Sequence, residues 1–209
     1  MDNICITIGR EFGSGGREIA KKLSEMLNMK YYDKELLELA SQSSGISLDV
    51  FENVDEKRSV FFSDGLVGGQ GNMLGNFYSF SDTLSSDNLF IHKMETIKKI
   101  ADNENAIIVG RCADYILRDY NNVLSVFIHC NDMEKRKERT RERHPEIEEK
   151  NLMSFISKAD KKRANYYSFY TDQTWGDSRY YDMSIDTAVF GIDKSAEVIA
   201  QAVKTLFNK

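Results

Sequence analysis

The stretch Ile4-Cys5-Ile6-Thr7-Ile8-Gly9-Arg10-Glu11-Phe12-Gly13-Ser14-Gly15-Gly16-Arg17-Glu18-Ile19-Ala20 constrains the fold of this chain more than any other. It opens with five mostly β-branched, apolar residues, the pattern of a strand buried on both faces. It closes with Ile19, Ala20, Leu23, Met26 and Leu27 at helical spacing. Between them lies a glycine-rich turn. A strand, a glycine turn and a helix in that order bring unpaired N–H groups and the positive end of a helix dipole to one point, which suits an anion. The glycines allow positive φ and let a phosphate approach without meeting a Cβ.

Several loop types share this outline. The dinucleotide fingerprint G-x-G-x-x-G/A fits poorly, because its third glycine position is Glu18, although Asp33 lies near the distance of a ribose-binding acid. The pattern G-x-x-x-x-G-K-[ST] also fails in strict form, because no lysine follows a glycine. One register sets Gly16 at the lysine position and Glu18 at the hydroxyl position. The other reads Gly16-Arg17-Glu18 with arginine in place of lysine, which makes Arg17 the nearest cation in sequence.

Farther along, Met29 to Tyr32 reads as a short strand ending at Asp33, and Lys34 to Ala40 as the start of a helix. From Ser41 to Ser86 the composition shifts to Ser, Gly, Asp and Asn, notably in Gly65 to Asn72, as in an inserted segment. Phe61, Phe62, Phe77, Tyr78 and Phe80 are expected to pack that insert rather than line a base pocket. Leu89 to Ala101 is helical in spacing and holds His92 as an ordinary helix residue. Ala106 to Val109 and Val123 to His129 are strands, the first followed at once by Gly110-Arg111.

Asn131 or Asp132 is expected to cap a helix carrying Arg136, Arg139 and Arg143 on one face, ended by Pro145. The acids interleaved with these bases read mostly as a solvated helix face. Asn151 to Tyr170 is helical, Asp182 to Asp186 reads as an edge strand, and Asp193 as the cap of a last amphipathic helix. Strands alternating with helices imply an α/β fold, a doubly wound parallel five-stranded sheet with ligands at the strand C-terminal ends. The glycine loop, Asp33 and Arg111 each follow such an end.

The 209 residues allow one such domain with an insertion, and 41% hydrophobic with 29% charged residues fits a soluble globular protein. A net charge of −5 argues against nonspecific nucleic-acid binding. The three cysteines have no metal-ligand spacing, so no protein metal site is expected; no apolar run approaches a membrane span, and no signal-peptide pattern opens the chain, which points to the cytoplasm.

Four segments together carry a resemblance: Ile6 to Ala20, Tyr31-Tyr32-Asp33, Ile108 to Asp114, and Asp160-Lys161-Lys162-Arg163-Ala164-Asn165-Tyr166-Tyr167. On these the chain resembles the cytidylate kinase-like family, relatives of the P-loop nucleoside monophosphate kinases. The resemblance implies a single domain over 1–209, with a monophosphate-binding insert at about 41–90 and a lid-like segment at about 144–175. It implies a nucleotide phosphate site at Gly13, Ser14, Gly15, Gly16, Arg17 and Glu18, with Arg136 and Arg139 contributing to nucleotide binding. Asp33 and Arg111 would serve the acceptor, and Arg17 and Arg163 the transferred phosphate. ATP with Mg²⁺ and CMP or dCMP are the expected substrates. True cytidylate kinases carry Gly-Ser-Gly-Lys-Gly-Thr in the loop, whereas this chain has Gly-Ser-Gly-Gly-Arg-Glu. A nucleotide-binding regulatory module and a kinase of another small acceptor stay open as alternatives. A dinucleotide oxidoreductase is disfavoured by Glu18 and by the basic lid.

Overall fold

The computed structural model describes residues 3–51 and 86–207. Five strands alternate with helices along the chain: β1 (Cys5–Arg10), α1 (Gly16–Leu27), β2 (Lys30–Tyr32), α2 (Glu35–Ser44), α3 (Ser86–Asn103), β3 (Ala106–Val109), α4 (Ala113–Ile116), β4 (Val123–His129), α5 (Met133–Arg143), α6 (Glu149–Thr171), β5 (Met183–Asp186) and α7 (Thr187–Phe207). The strands form one sheet in the order β2-β3-β1-β4-β5, and every pairing is parallel. This is the expected doubly wound α/β sheet. β1 is its centre, pairing Ile8 with Val109 of β3 and Arg10 with Ile128 of β4.

The centrality of β1 follows from its side chains. Ile4, Ile6 and Ile8 face Ile19, Ala20 and Leu23 of α1 and Ala196, Ile199, Ala200 and Val203 of α7 in one buried cluster. Burying each large aliphatic side chain contributes about 1.5–3 kcal/mol. On the opposite face Gly9 leaves room for two rings: a Cβ there would stand 2.9 Å from Phe127 and 3.1 Å from Tyr181. Met26, placed among the apolar positions of α1 by spacing, is 49% exposed and lies outside this cluster.

Two compact units divide the chain, one of Met1–Asp33 with Lys98–Lys209 and one of Lys34–Ile97. In the second, Leu37 and Ala40 of α2 pack with Phe51 and Leu89. α2 runs on through Ser44 and stops at Gly45 with φ 72°, so residues 41–44 end a helix rather than open the insertion. The aromatic residues from Phe61 to Phe80 and the Gly65 to Asn72 run lie outside the described residues.

The last helix corrects the sequence reading. Its first turn begins at Thr187, where Asp186 Oδ1 accepts the Ala188 N–H at 2.8 Å, and the helix breaks at Gly191 with φ 69°. Asp186 caps the short turn before this break, whereas Asp193 lies just after it, at the start of the amphipathic stretch, and pairs with Lys22 of α1 at 2.7 Å. Asp132 does cap α5, accepting from the N–H groups of Glu134 and Lys135. The stretch expected to act as a lid is largely one continuous 23-residue helix, α6.

Candidate active site

Past Arg10 the chain leaves the sheet, with the Glu11 N–H still donating to Ile128 O at 3.0 Å. Gly13 and Gly15 then take φ of 73° and 89°, the left-handed region that favours glycine. Space forbids a side chain at Gly13 as well, since a Cβ would stand 2.7 Å from the carbonyl oxygen of Arg136. Gly15 is the N-cap of α1 and has no side chain to cap it. The first N–H groups of α1 have no intrahelical acceptors and, with the helix dipole, form a cradle for an anion.

One face of α5 holds this loop from behind. Arg136, buried, donates from Nε to Phe12 O at 2.8 Å and pairs with Glu11 at 3.3 Å and with Asp160 of α6. Arg139 Nη1 donates to Gly13 O and Ser14 O at 3.1 Å each, and to Thr187 Oγ1 at 3.2 Å. Arg143 pairs with Glu18. The expectation of a solvated face holds for Lys135, Arg141 and the exposed Arg143 but fails for Arg136 and Arg139, because loop carbonyls and carboxylates await them. Arg136 and Arg139, expected to contact nucleotide, each bond the loop backbone, through Nε and Nη1 respectively.

The second group gathers round Asp33. This buried carboxylate, just past β2, meets Arg10 Nη2 at 3.4 Å, pairs with Arg17, and accepts the Tyr31 hydroxyl at 3.3 Å. Burial alone would raise its pKa, but Arg10 and then Arg17 hold it below the usual carboxylate range, with Arg111 adding to the effect. Arg10 is pushed down to about 9, first by burial and then by the charge of Arg163, while Asp33 opposes the shift. Arg163 of α6 is lowered to about 10 by burial, against the pull of Asp160 and Asp33; it donates to Arg10 O at 3.0 Å and lies over the Phe12 ring. Four guanidinium groups thus influence one carboxylate, an arrangement that favours a further anion.

Arg111 enters through strained backbone. Gly110, Arg111 and Cys112 take φ of 73°, 60° and 58° in succession, immediately after β3. Non-glycine residues in that region cost roughly 1–2 kcal/mol each. Such outliers persist where the surroundings over-determine them, and here they turn Arg111 toward the charge of Asp33, Arg10 and Arg163.

Arg17, Asp33, Arg111 and Arg163 therefore converge, as sequence suggested, with one change: Arg17 is engaged with Asp33 rather than lying over the loop. Sequence reading passed over Arg10 as a site residue. Its signal was a charged residue ending a strand whose five preceding positions are all buried. Among the described residues no three His, Cys, Asp or Glu side chains cluster as a metal site. Glu18 nevertheless keeps one buried carboxylate oxygen, Oε2, without a hydrogen-bond partner among them.

A family model described as the cytidylate kinase-like family matches residues 5–189. The solved structure of an uncharacterized protein from Eubacterium ventriosum is similar at 32% identity, covering 97% of this chain and 99% of that one, with a TM-score of 0.70. Shikimate kinase from Bacteroides thetaiotaomicron shares the fold at 16% identity and TM-score 0.52, over 99% of both chains. Shikimate kinase from Acinetobacter baumannii, solved with shikimate, does so at 11% identity and TM-score 0.50, over 97% of this chain and 94% of that one. No curated protein matches the sequence.

Proposed function

We propose that this chain, which belongs to the cytidylate kinase-like family, transfers the γ-phosphoryl group of ATP to a nucleoside monophosphate, with CMP or dCMP the best fit. The observation that carries this reading is the placement of an uncapped glycine loop beside an arginine-rich cluster, both at the C-terminal end of one parallel sheet. Phosphoryl transfer asks chiefly that two phosphate-bearing groups be positioned and their charge neutralised. The loop from Gly13 to Glu18 would take the ATP phosphates on backbone N–H groups. Arg111 would hold the acceptor's phosphate, and Asp33 would orient the acceptor. Arg163, brought in on α6, would neutralise the migrating group. An already ionised acceptor oxygen forms the new bond to the γ-phosphorus while the bond to the β,γ-bridging oxygen breaks, releasing ADP.

Magnesium entering with ATP shields phosphate charge in such reactions, and it retains several waters beside one or two carboxylates. Glu18, whose Oε2 has no hydrogen-bond partner among the described residues, is the carboxylate that would hold it. Beside the loop, Val189 and Phe190 offer exposed apolar surface for a nucleobase, next to Thr187, whose hydroxyl donates to Ser14 O at 2.7 Å. No helix among the described residues is long and apolar enough to cross a membrane.

The test is ADP release from ATP across CMP, dCMP, UMP, AMP, GMP and TMP, with shikimate and gluconate as hydroxyl acceptors. Highest turnover with CMP or dCMP is expected. Turnover with a hydroxyl acceptor alone would replace the acceptor. ATP binding without turnover on any acceptor would favour a regulatory nucleotide-binding module, the reading that Gly16 at the lysine position supports.

A further inference from the structure

We infer that Arg10 supplies the cation this glycine loop lacks: its side chain, rising from the end of β1, takes the place of a loop lysine and binds the phosphates of a nucleoside triphosphate. The inference rests on the phosphate-binding reading of the loop given above. Its evidence is steric. A Cβ built on Gly16 would stand 2.6 Å from Arg10 Cβ and 3.0 Å from Arg10 Cγ. A Cβ built on Gly110 would stand 2.0 Å from Arg10 Nη1. The Arg10 side chain therefore runs from the first residue of α1 to the turn after β3, through a channel with a glycine at each end.

Three oddities then share one cause. Gly16 stands where a lysine is expected because any side chain there would strike the arginine. Its own backbone is helical, so glycine is not demanded by conformation. Gly110 is glycine for its φ of 73°, and Arg10 Nη1 lies in the space that a Cβ there would fill. An arginine closes an otherwise buried strand because its guanidinium is needed at the C-terminal end of the sheet. The guanidinium so directed lies beside Gly110, the residue before Arg111, and 3.4 Å from Asp33. Arginine's planar fork suits phosphate oxygens there. The neighbouring Arg163, Arg111 and Arg17 bear on its charge, with Asp33 opposing them, so a polyanion would relieve the imbalance.

The experiment uses the full chain and the variants Arg10→Ala, Arg10→Met, Gly16→Lys and the double variant Arg10→Ala/Gly16→Lys. Calorimetric titration with inorganic pyrophosphate and with ATP gives affinities, thermal melting gives stability, and ADP release gives turnover. Arg10→Ala and Arg10→Met should each lose at least about tenfold in pyrophosphate affinity; methionine fills the channel without charge and so separates packing from charge. Gly16→Lys alone should melt well below the parent, and the double variant should recover both stability and pyrophosphate affinity. Parent-like pyrophosphate binding by Arg10→Met, or no pyrophosphate binding by the parent, would overturn the inference. Arginine-dependent pyrophosphate binding without transfer to any acceptor would uphold it and sink the kinase reading. Unchanged binding and transfer in the Arg10 variants would do the reverse.

Discussion

Asp160, in the middle of α6, accepts the backbone N–H of Phe12 at 2.7 Å through Oδ1 while its Oδ2 pairs with Arg136. One carboxylate thus ties the long helix to the glycine loop and to the arginine that grips the loop's carbonyl. Asparagine at this position keeps the size but loses the charge, and its amide turns a donor toward either an N–H or a guanidinium. Hydrogen bonds to charged groups contribute about 1.5–3 kcal/mol, so Asp160→Asn should lower stability by about 2 kcal/mol in urea denaturation. Hydrogen exchange at Phe12 should quicken as well. Unchanged exchange there would mean that the loop keeps its shape without α6.

A second prediction concerns Asp33. The sequence resemblance casts it as an acceptor-side residue; its burial between Arg10 and Arg17 makes it a structural one as well. Removing one member of a buried pair costs about 3–5 kcal/mol, and the partial exposure of Arg17 reduces this to about 2 kcal/mol for Asp33→Asn. Millimolar phosphate, compared with chloride at equal ionic strength, should restore part of the loss, because an anion can occupy the place left among the arginines. The acid limb carries the same signature. A carboxyl held below its ordinary value stabilises the fold above pH 3.8, and that contribution drains away as pH falls through its lowered value. The variant should lack this portion of the acid transition. Equal urea midpoints for parent and variant would remove Asp33 from the cluster.

The third prediction turns on Asp114, which has the opposite sign. Burial raises its pKa to about 6, although Tyr167 of α6 donates a hydroxyl to Oδ2 at 2.6 Å. The folded state therefore binds a proton that the unfolded chain, at 3.8, has already released. Between those values stability falls as pH rises, and above about 6 the penalty is complete. Asp114→Asn, which stays neutral, should melt higher than the parent at pH 7.5 and no higher at pH 4. Parallel melting curves across that range would show that the Tyr167 bond fully offsets burial.

The sheet was legible because β1, β3 and β4 are mostly apolar runs, as strands buried on both faces must be. The convergence of Asp33 and Arg111 with the loop followed from topology alone, since each succeeds a strand end. What sequence could not convey was direction. Arg136, Arg139 and Arg143 share one face, yet nothing in their spacing reveals whether that face meets water or the loop; the partners Phe12, Gly13 and Glu18 lie over a hundred residues away. Arg10 was hidden for a related reason. Its place is defined by the absence of two side chains, at Gly16 and Gly110, and an absence has no periodicity.

Arg111 offers a prediction in which stability and activity part company. Its φ of 60° sits between those of Gly110 and Cys112 in a left-handed run that L-residues adopt at a cost. Glycine adopts that conformation freely, so Arg111→Gly relieves strain of roughly 1 kcal/mol, offset in part by the greater entropy of the unfolded chain. It also removes a positive charge that disfavours Arg10 and Arg163 but favours the ionised Asp33. These effects oppose one another, so the melting temperature of Arg111→Gly should stay close to the parent's. On the reading that this guanidinium holds the acceptor phosphate, the KM for CMP or dCMP should rise at least about tenfold, while ATP affinity changes little. Arg111→Lys, which keeps the charge but not the planar fork or the relief of strain, should fall between in KM and gain nothing in stability. A glycine variant that loses ATP affinity instead would exchange the donor and acceptor sides of the site. One that melts far below the parent would make Arg111 a structural residue, its left-handed backbone held in place by packing rather than by a ligand.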